Sequence, residues 1–445
     1  MTRFDGRLLA GTAFAAVVLA AAQAHAGAFG IREQSTEGIG VAYAGVAAGG
    51  VPSSMFYNPA TMTQIYGMGV ETDVTGIFPN SKTTTAPFPA STFGPGSPLG
   101  AFPDPQMNIG PAAAVPAATI IRQLTPDLWI GLGINSPFGL TTGTPDSWPG
   151  RFYGEQATFE SFNFNPTIAY KINNWISVGA GVQAQYATTN QTFGLPVPTP
   201  TTGQLNLSGS GWGFGFTAGV TVNPWAGTTL GLGYRSFINQ TIDGTLTVPL
   251  GLPATTGGAI NSTVRLPDQL SGGIKQRIND QWTLLGTVEW DNWSRIGTTT
   301  VNTAAGGPAL VVGTPLQLPF QYRDGWLFSG GVEYNAAPGW VLRGGAGYEI
   351  SPITTGVRIP ALPDSNRIWL TAGLTKAIFP GLYLDLSYAH LFMQNADMNI
   401  TSLANNPWFD GVAYTGTAVN HIDILSLGLR LQLSPPPPTP LVTKG

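Results

Sequence analysis

The side chains that usually carry out chemistry are scarce in this sequence. Among its 445 residues there is no cysteine, and the three histidines are His25, His390 and His421. Without cysteine there is no thiol nucleophile, no disulfide and no cysteine-based metal site. The two later histidines are too far apart in sequence to predict a metal cluster, and no local motif predicts a hydrolase triad. We therefore expect no enzyme activity, no cofactor and no metal, and a structural role for both histidines.

One stretch fits a cofactor motif loosely. "GFGFTA" (213–218) matches the Gly-x-Gly-x-x-Ala pattern of dinucleotide-binding turns. That pattern requires a helix directly after the turn, whereas this stretch lies in an alternating segment with no helical periodicity after it. We interpret it as strand packing.

Residues 1–26 have the features of a secretory signal. Arg3 and Arg7 give a basic start, residues 8–22 form an apolar core, and "AHA" (24–26) offers small residues at a cleavage site. A retained membrane anchor is the alternative, but the apolar core is short for a bilayer span of roughly 20 residues. We expect the leader to be removed.

The composition after the leader points to a membrane protein that crosses with strands. Charged residues make up 9% of the sequence, against about 25% in ordinary globular proteins. Hydrophobic residues reach 43%, yet no apolar run after the leader is long enough for a helix to cross a bilayer. The net charge of −4 offers no basic stripe for nucleic acid. Apolar surface without apolar helices is typical of a transmembrane β-barrel.

Alternation along the chain supports the barrel. In residues 425–433 the leucines at odd positions oppose Ser426, Gly428, Arg430 and Gln432, and residues 176–186 and 382–389 alternate in the same way. Period two with small or polar residues on the second face is the barrel-strand pattern. A soluble β-sandwich would have the same period, but its outward face would be charged.

The connections alternate in length, as in an outer-membrane barrel with short periplasmic turns and long outer loops. Counting the segments between them predicts an all-β, antiparallel up-and-down barrel of about fourteen strands over residues 67–433. Five tryptophans near short turns predict one aromatic ring at the periplasmic boundary. The short turns lie at 123–127, 172–174, 223–228, 278–281, 335–339 and 377–381, and the tryptophans are Trp129, Trp175, Trp225, Trp282 and Trp340.

The segment before the first strand, residues 27–66, has no place in the wall. A wide barrel leaves an aqueous lumen unless something fills it, so we predict that this compact segment is a hatch, a plug inside the lumen. The stretch "SSMFYNPATMT" (53–63) does not alternate, and Asn58 can cap a helical turn that begins at Pro59. The predicted hatch residues are Phe29, Met55, Phe56, Asn58, Pro59 and Ala60.

The sequence resembles the FadL/TodX family of outer-membrane transporters for long-chain fatty acids and other hydrophobic compounds. The matching stretches, in order, are "GAFGIREQSTEGIGVAYAG" (27–45), "NPA" (58–60), "NSPFG" (135–139), "WGFGFTAG" (212–219), "YRS" (234–236) and "LPDSNRIWLTAG" (362–373). The resemblance implies a fourteen-stranded barrel with an N-terminal hatch in the bacterial outer membrane. It also implies passive uptake of hydrophobic molecules, most of all long-chain fatty acids.

The resemblance also implies a headgroup site. In "FQYRDGW" (320–326), Arg323 matches a family lysine near the bound headgroup, and an arginine suits a carboxylate. Asp324 beside it is the alternative partner for that charge. A second basic residue is missing, because "QYATTNQ" (185–191) is uncharged. Uptake of aromatic or alkane hydrocarbons therefore stays open as an alternative.

Two outer loops predict a surface that captures ligand. Residues 193–205 and 244–264 contain no charged side chain but include Leu195, Val197, Leu250 and Leu252. Exposed apolar loop residues often mark a binding surface, and the resemblance implies an outer groove here. Flexible Pro- and Thr-rich loops are the alternative.

The stretch Ser136, Pro137, Phe138 and Gly139 predicts a kink in strand 3. Pro137 removes a ladder donor and Gly139 relaxes the backbone, and the resemblance implies a lateral opening at this position. The alternative is a strand that simply ends in a loop.

Two other functions remain as alternatives to a transporter of hydrophobic compounds. A general diffusion porin would have charged lumen rings and a constriction loop, and a structural or adhesin barrel would need no transport path. As partners we expect hydrophobic small molecules, outer-membrane lipid and lipopolysaccharide, with the protein a monomer. Residues 434–445, rich in proline, predict an extended tail.

Overall fold

A computed structural model describes residues 27–86, 106–108, 110–144, 148–195, 203–249, 257–311 and 313–433. Fourteen antiparallel strands form one closed wall, which confirms the predicted fold class. In the described part of the chain no helix is both long and apolar enough to cross a membrane. The wall strands are β1 (Met68–Thr85), β2 (Ala113–Thr125), β3 (Leu128–Asn135 continuing as Gly139–Gly143), β4 (Gln156–Lys171), β5 (Ile176–Gly194), β6 (Gln204–Val222), β7 (Thr228–Arg235 continuing as Ile238–Thr247), β8 (Gly258–Leu266 continuing as Gln269–Arg277), β9 (Trp282–Asp291), β10 (Gly325–Ala337), β11 (Trp340–Ile350), β12 (Arg367–Phe379), β13 (Leu382–Met393 continuing as Ala396–Ile400) and β14 (Tyr414–Gln432).

The wall closes because the first strand pairs with the last. Val70 of β1 lies opposite Ile120 of β2 on one side and opposite Leu431 of β14 on the other. Each remaining strand pairs with its neighbours in sequence. Short segments in the loops add Gln106–Asn108 beside β1, and Thr298–Thr300, Asn302–Thr303, Leu310–Val311, Thr314–Pro315 and Gln317–Pro319 between β9 and β10.

The side-chain pattern of the wall is the one the alternation predicts. In β14, Leu425 and Leu427 are 57% and 49% exposed and face outward, while Ser426 between them is 1% exposed and faces the lumen. Since successive side chains of a strand point to opposite faces, an apolar band surrounds the barrel where lipid would contact it.

Four of the five tryptophans predicted for the periplasmic ring are exposed beside short turns: Trp175, Trp225, Trp282 and Trp340. The prediction for Trp129 is wrong. Its side chain is 1% exposed and its Nε1 donates a hydrogen bond to the carbonyl oxygen of Ile65 at 2.7 Å. Trp129 therefore points into the lumen, where it contacts the end of the N-terminal segment.

Residues 27–66 fold inside the barrel as the hatch. The segment contains α1 (Thr36–Gly40) and three short 3-10 helices, Val46–Ala48, Pro52–Phe56 and Pro59–Gln64. Asn58 caps the last of these, because its side chain accepts a hydrogen bond from the backbone N–H of Ala60 at 3.0 Å. The non-alternating stretch 53–63 is thus two 3-10 helices joined at an asparagine cap.

Glycines on the inner face of the wall let the hatch backbone approach closely. A Cβ on Gly345 of β11 would lie 2.2 Å from the carbonyl carbon of Val41 in the hatch, and one on Gly231 of β7 would lie 1.8 Å from the carbonyl oxygen of Ala47. Both distances are far below van der Waals contact, so only glycine fits at these positions. This contact explains part of the high glycine content of the sequence.

Buried ion pairs also join the hatch to the wall. Arg32 lies 2.8 Å from Glu349 and 3.1 Å from Glu289, and Glu37 lies 2.9 Å from Arg343. Removing one partner of such a pair leaves a charge buried alone, which is strongly destabilising. These pairs therefore hold the hatch in one position.

Candidate transport path

An apolar cavity lies among the outer loops and the upper wall; we call it the outer cavity. It has about 850 Å³ of empty space, part of which is open to solvent. Among the described residues its lining contains no charged side chain. The lining residues are Phe29, Leu140, Gly154, Ala157, Phe159, Thr189, Gln191, Phe193, Leu207, Ile242, Ser262, Val264, Val301, Leu318, Phe320, Tyr322, Ile359, Ala361, Leu362 and Trp408.

The loop between β11 and β12 supplies one side of the outer cavity. Arg358 in this loop is buried, and its guanidinium donates to the carbonyl oxygens of Asp364 at 2.8 Å and Asp397 at 2.7 Å. These hydrogen bonds fold the loop inward, so that Ile359 and Leu362 face the cavity instead of solvent.

Phe29 of the hatch forms the floor of the outer cavity. Its ring centroid lies 4.8 Å from that of Trp293, 5.6 Å from Phe159 and 6.3 Å from Phe138. Aromatic pairs at these separations pack in tilted or edge-to-face arrangements. Phe29 therefore separates the outer cavity from the space on its other side.

A second cavity of about 540 Å³ lies beyond this floor; we call it the inner cavity. Unlike the outer cavity, it combines an apolar lining with charged and amide side chains. The residues that line it are Gly27, Gly30, Ile31, Arg32, Phe56, Pro137, Phe138, Gln183, Arg235, Ser236, Ile238, Pro267, Gln269, Asp291 and Trp293.

The wall kinks at residues 136–138, where β3 is interrupted. Asn135 lies opposite Asn163 of β4 and Gly139 lies opposite Glu160, so three residues of β3 face two of β4. Such a bulge bends the strand and disrupts the ladder. Because Pro137 has no N–H, it cannot take part in the ladder as a donor.

The hatch takes up the backbone groups that the kink frees. The N–H of Ile31 donates to the carbonyl oxygen of Pro137 at 2.8 Å, and the N–H of Gly139 donates to that of Phe29 at 2.9 Å. The side chain of Gln34 also donates to the carbonyl oxygen of Ser136 at 2.9 Å. The start of the hatch thus lies beside β3 like a short extra strand.

Above the kink, β2 and β3 separate. They pair from Thr125 and Leu128 up to Ala118 and Ile134. Residues 113–117 of β2 then pair with β1, and residues 139–143 of β3 pair with β4. Among the described residues no backbone pairing joins the two stretches, and we call this interruption the β2–β3 gap.

The structure places the predicted site residues in different regions. Ser136, Pro137, Phe138 and Gly139 lie at the kink beside Phe29, and Leu195 packs beside the apolar loop cluster that includes Leu207. Met55, Phe56, Pro59 and Ala60 are buried in the hatch with Asn58. Val197, Leu250 and Leu252 lie outside the described residues.

Arg323 requires a correction. It is exposed, and its Nε donates to the carbonyl oxygen of Ser351 at 3.0 Å, while its neighbour Tyr322 lines the outer cavity. Asp324 does not neutralise it but accepts hydrogen bonds from Trp290 and Ser294. The structure therefore places Arg323 in the lining of neither cavity, contrary to its predicted place beside a ligand headgroup.

Arg235 lines the inner cavity and has no carboxylate within 4 Å among the described residues, and its role is not evident from the sequence. Arg235 is the second residue of "YRS" (234–236). Alternation along β7 places it on the same face as Gly231 and Gly233, which touch the hatch, so the alternation is the sequence signal for its inward direction.

Comparisons with known proteins agree with this architecture. The model of the family described as outer membrane protein transport protein (OMPP1/FadL/TodX) matches residues 17–432. The long-chain fatty acid transport protein of Salmonella typhi is 25% identical over 432 residues, covering 86% of this chain and 92% of that protein. Outer membrane protein P1 of Haemophilus influenzae is 28% identical over 431 residues, covering 88% and 90%.

Solved structures show the same fold. A Pseudomonas aeruginosa FadL homologue superposes with a TM-score of 0.81 at 21% identity, covering 92% of this chain and all of that one. The toluene transporter TodX of Pseudomonas putida gives a TM-score of 0.63 at 16% identity, covering 86% and 95%.

Proposed function

Because the chain belongs to the OMPP1/FadL/TodX family of outer-membrane transport proteins for hydrophobic compounds, we propose that it takes up long-chain fatty acids and releases them sideways through the β2–β3 gap. The relatives named long-chain fatty acid transport proteins, which match most of this chain, support the choice of cargo. Uptake is passive, driven by the concentration difference across the outer membrane.

Capture begins at the outer loops and continues in the outer cavity. Burial of apolar surface contributes about 25 cal/mol per Å², so an alkyl chain gains several kcal/mol on entering an apolar cavity. The outer cavity offers such a surface, because its lining is mostly hydrophobic and aromatic, as is usual for small-molecule sites. Since part of it is open to solvent, binding there is reversible and the ligand can move on.

The hatch makes an exit along the barrel axis unfavourable. Its backbone contacts the wall at glycines of β7 and β11, and its Arg32 and Glu37 are held by buried carboxylates and guanidinium groups. Displacing the whole hatch would separate these charges in a buried environment, which costs several kcal/mol. A path through the side of the wall requires no such displacement.

The β2–β3 gap is the observation that carries the proposal. It lies above the kink at Pro137, where Phe138 lines the inner cavity and Phe29, beside it, lines the outer cavity. A break in the wall at this point would give an alkyl chain a path to the hydrocarbon core of the bilayer, where it is soluble.

A cleavable cross-link across the gap tests the exit. The chain has no cysteine, so cysteines at Ala114 of β2 and Thr141 of β3 would be unique targets for a bismaleimide with a disulfide in its spacer. We expect uptake of radiolabelled oleate by cells that lack their own fatty acid transporter to fall at least fivefold after cross-linking. Reduction of the spacer should restore it.

Each single-cysteine variant controls for modification alone. A matched pair at Asn190 and Ser208, which lie directly opposite each other in β5 and β6, controls for cross-linking of a continuous wall and should leave uptake unchanged. If the β2–β3 cross-link forms quantitatively and uptake persists, lateral release at this gap is refuted.

Hydrocarbons are the second candidate cargo, favoured by one observation. The described lining of the outer cavity has no charged group, so it does not distinguish a carboxylate from an uncharged end. Parallel uptake of radiolabelled hexadecane and toluene tests this candidate. Entry of a small sugar at a comparable rate would instead indicate a general diffusion porin.

A further inference from the structure

We propose that Arg235 in the inner cavity binds the carboxylate of the transported molecule, an inference that rests on the proposed uptake of fatty acids. Arg235 is the last residue in the lower part of β7, next to the break at Ser236, and its side chain is 6% exposed. It lines the same cavity as Pro137 and Phe138 of the kink.

The charge of Arg235 has no protein counter-ion. Arg32, Arg343 and Arg367 are comparably buried, and each lies within 4 Å of at least one carboxylate. Among the described residues no carboxylate lies within that distance of Arg235. A buried charge is normally paired, so an unpaired one that faces a cavity is suited to an anionic ligand.

The guanidinium is held in place and still has donors left. Nη1 of Arg235 donates to the carbonyl oxygen of Phe56 at 3.1 Å, and Nη2 donates to Oε1 of Gln183. The Cζ atom of the guanidinium lies 4.0 Å from the centroid of the Phe56 ring. A guanidinium has five N–H groups, so three remain. Its planar arrangement matches a carboxylate, which it can bind through two parallel hydrogen bonds.

The other charged groups of the inner cavity do not neutralise Arg235. Asp291 lies 3.4 Å from Arg32 and accepts a hydrogen bond from Gln269 at 3.0 Å. Arg32 is itself engaged by Glu289 and Glu349. These groups form their own compensated cluster at the hatch, so the uncompensated positive charge in this lining is Arg235.

The two cavities would then bind different parts of one molecule, the outer cavity its apolar chain and the inner cavity its carboxylate. The outer cavity, with no charge in its lining, accepts any apolar chain, whereas the inner cavity distinguishes an anionic end from a neutral one. A hydrocarbon would pass the inner cavity without a contact to Arg235. Selectivity for carboxylates therefore depends on this side chain and not on the outer loops.

The test compares a fatty acid with its uncharged methyl ester. Purified protein in detergent is titrated with cis-parinaric acid and with methyl parinarate, and binding is read from energy transfer from the protein's tryptophans. We expect R235Q to weaken binding of the acid about tenfold, because a hydrogen bond to a charged group is lost, and to change binding of the ester less than twofold. R235K, which keeps the charge, should retain most of the affinity.

R277Q is the matched control, because Arg277 is exposed at a short turn beside Asp280. It should bind both probes like the wild type. An equal loss of acid and ester binding in R235Q would show that Arg235 only anchors the hatch, and an unchanged preference for the acid would show that the carboxylate binds elsewhere; either result overturns the inference. Failure of the wild type to take up oleate in cells would instead overturn the proposed function.

Discussion

Replacing Gly345 by alanine separates the fit of the hatch from the stability of the wall. Gly345 and Gly344 are neighbours in β11 and face opposite sides of it. A Cβ on Gly345 would lie 2.2 Å from the carbonyl carbon of Val41, whereas the nearest atom to a Cβ on Gly344 is the carbonyl oxygen of Thr371 at 3.9 Å. An added methyl group therefore overlaps the hatch backbone at Gly345, whereas at Gly344 it makes only an ordinary van der Waals contact.

The expected magnitude follows from that overlap. Carbon atoms in contact are separated by about 3.5–4.0 Å, so G345A forces the hatch backbone near Val41 to move by more than 1 Å, roughly, or to detach. Overpacking of this kind costs about 1–3 kcal/mol. Alanine also restricts the unfolded chain, which contributes about 0.4–1 kcal/mol in favour of the folded state at a compatible site. We expect G344A to be neutral or slightly stabilising and G345A to weaken docking of the hatch by about 2 kcal/mol.

Hydrogen–deuterium exchange of the hatch amides measures this difference. A loss of about 2 kcal/mol corresponds to exchange roughly 30-fold faster through local opening, and it should affect residues 38–46 while the amides of β11 stay protected. The heat needed to unfold the barrel on a denaturing gel should be the same for both variants. Equal exchange rates in G345A and G344A would refute the view that close backbone approach requires glycine at this position.

Two further predictions concern the hatch. Asn58→Ala removes the cap on Ala60 and the hydrogen bonds from Asn58 to the carbonyl oxygens of Ala47 and Val220. We therefore expect the hatch amides to exchange about tenfold faster or more, with the unfolding temperature of the barrel unchanged. The control Asn80→Ala, on the exposed face of β1, should have no effect, and equal exchange in both variants would contradict the prediction. Burial raises the pKa of Glu33 from 4.5 to about 7, so its contribution to hatch docking is present below about pH 4.5 and is lost as the pH rises through 7. The loss, on the order of 3 kcal/mol, should lower the protection of the hatch amides at high pH after the intrinsic pH dependence of amide exchange is divided out. This fall in protection should be smaller in E33Q, and an unchanged fall in E33Q would assign it to another group.

The sequence predicts the wall well because one local rule builds it. Alternation with period two fixes which side chains face lipid, and Leu425, Leu427 and Ser426 follow it without exception. Trp129 also follows the rule, since it faces inward with the alternate residues of β3. The tryptophan prediction is wrong for it because closeness to a turn does not determine which face of the strand a residue occupies.

The candidate site is harder to predict because no local rule sets it. Arg323 lies in a loop, where alternation does not determine direction, and the neighbouring Tyr322 is the residue that faces the outer cavity. The importance of Arg235 depends on where every carboxylate of the folded chain lies, which no single stretch of sequence contains. Pro137 and Gly139 predict a kink, whereas the β2–β3 gap depends on how far each of two strands pairs with its other neighbour.

The hydrogen bonds at the kink link the floor of the outer cavity to the gap. Phe29 forms that floor, and its carbonyl oxygen accepts from Gly139 while the N–H of Ile31 donates to Pro137. Widening the gap at β3 with the hatch fixed would break both bonds, at a net cost of about 0.5–1.5 kcal/mol each. If residues 29–31 move with β3, both bonds survive, and the floor of the outer cavity opens in the same motion. If the wall opens at this gap as proposed, the floor is therefore expected to open with it, because the coupled movement preserves both hydrogen bonds between the hatch and β3.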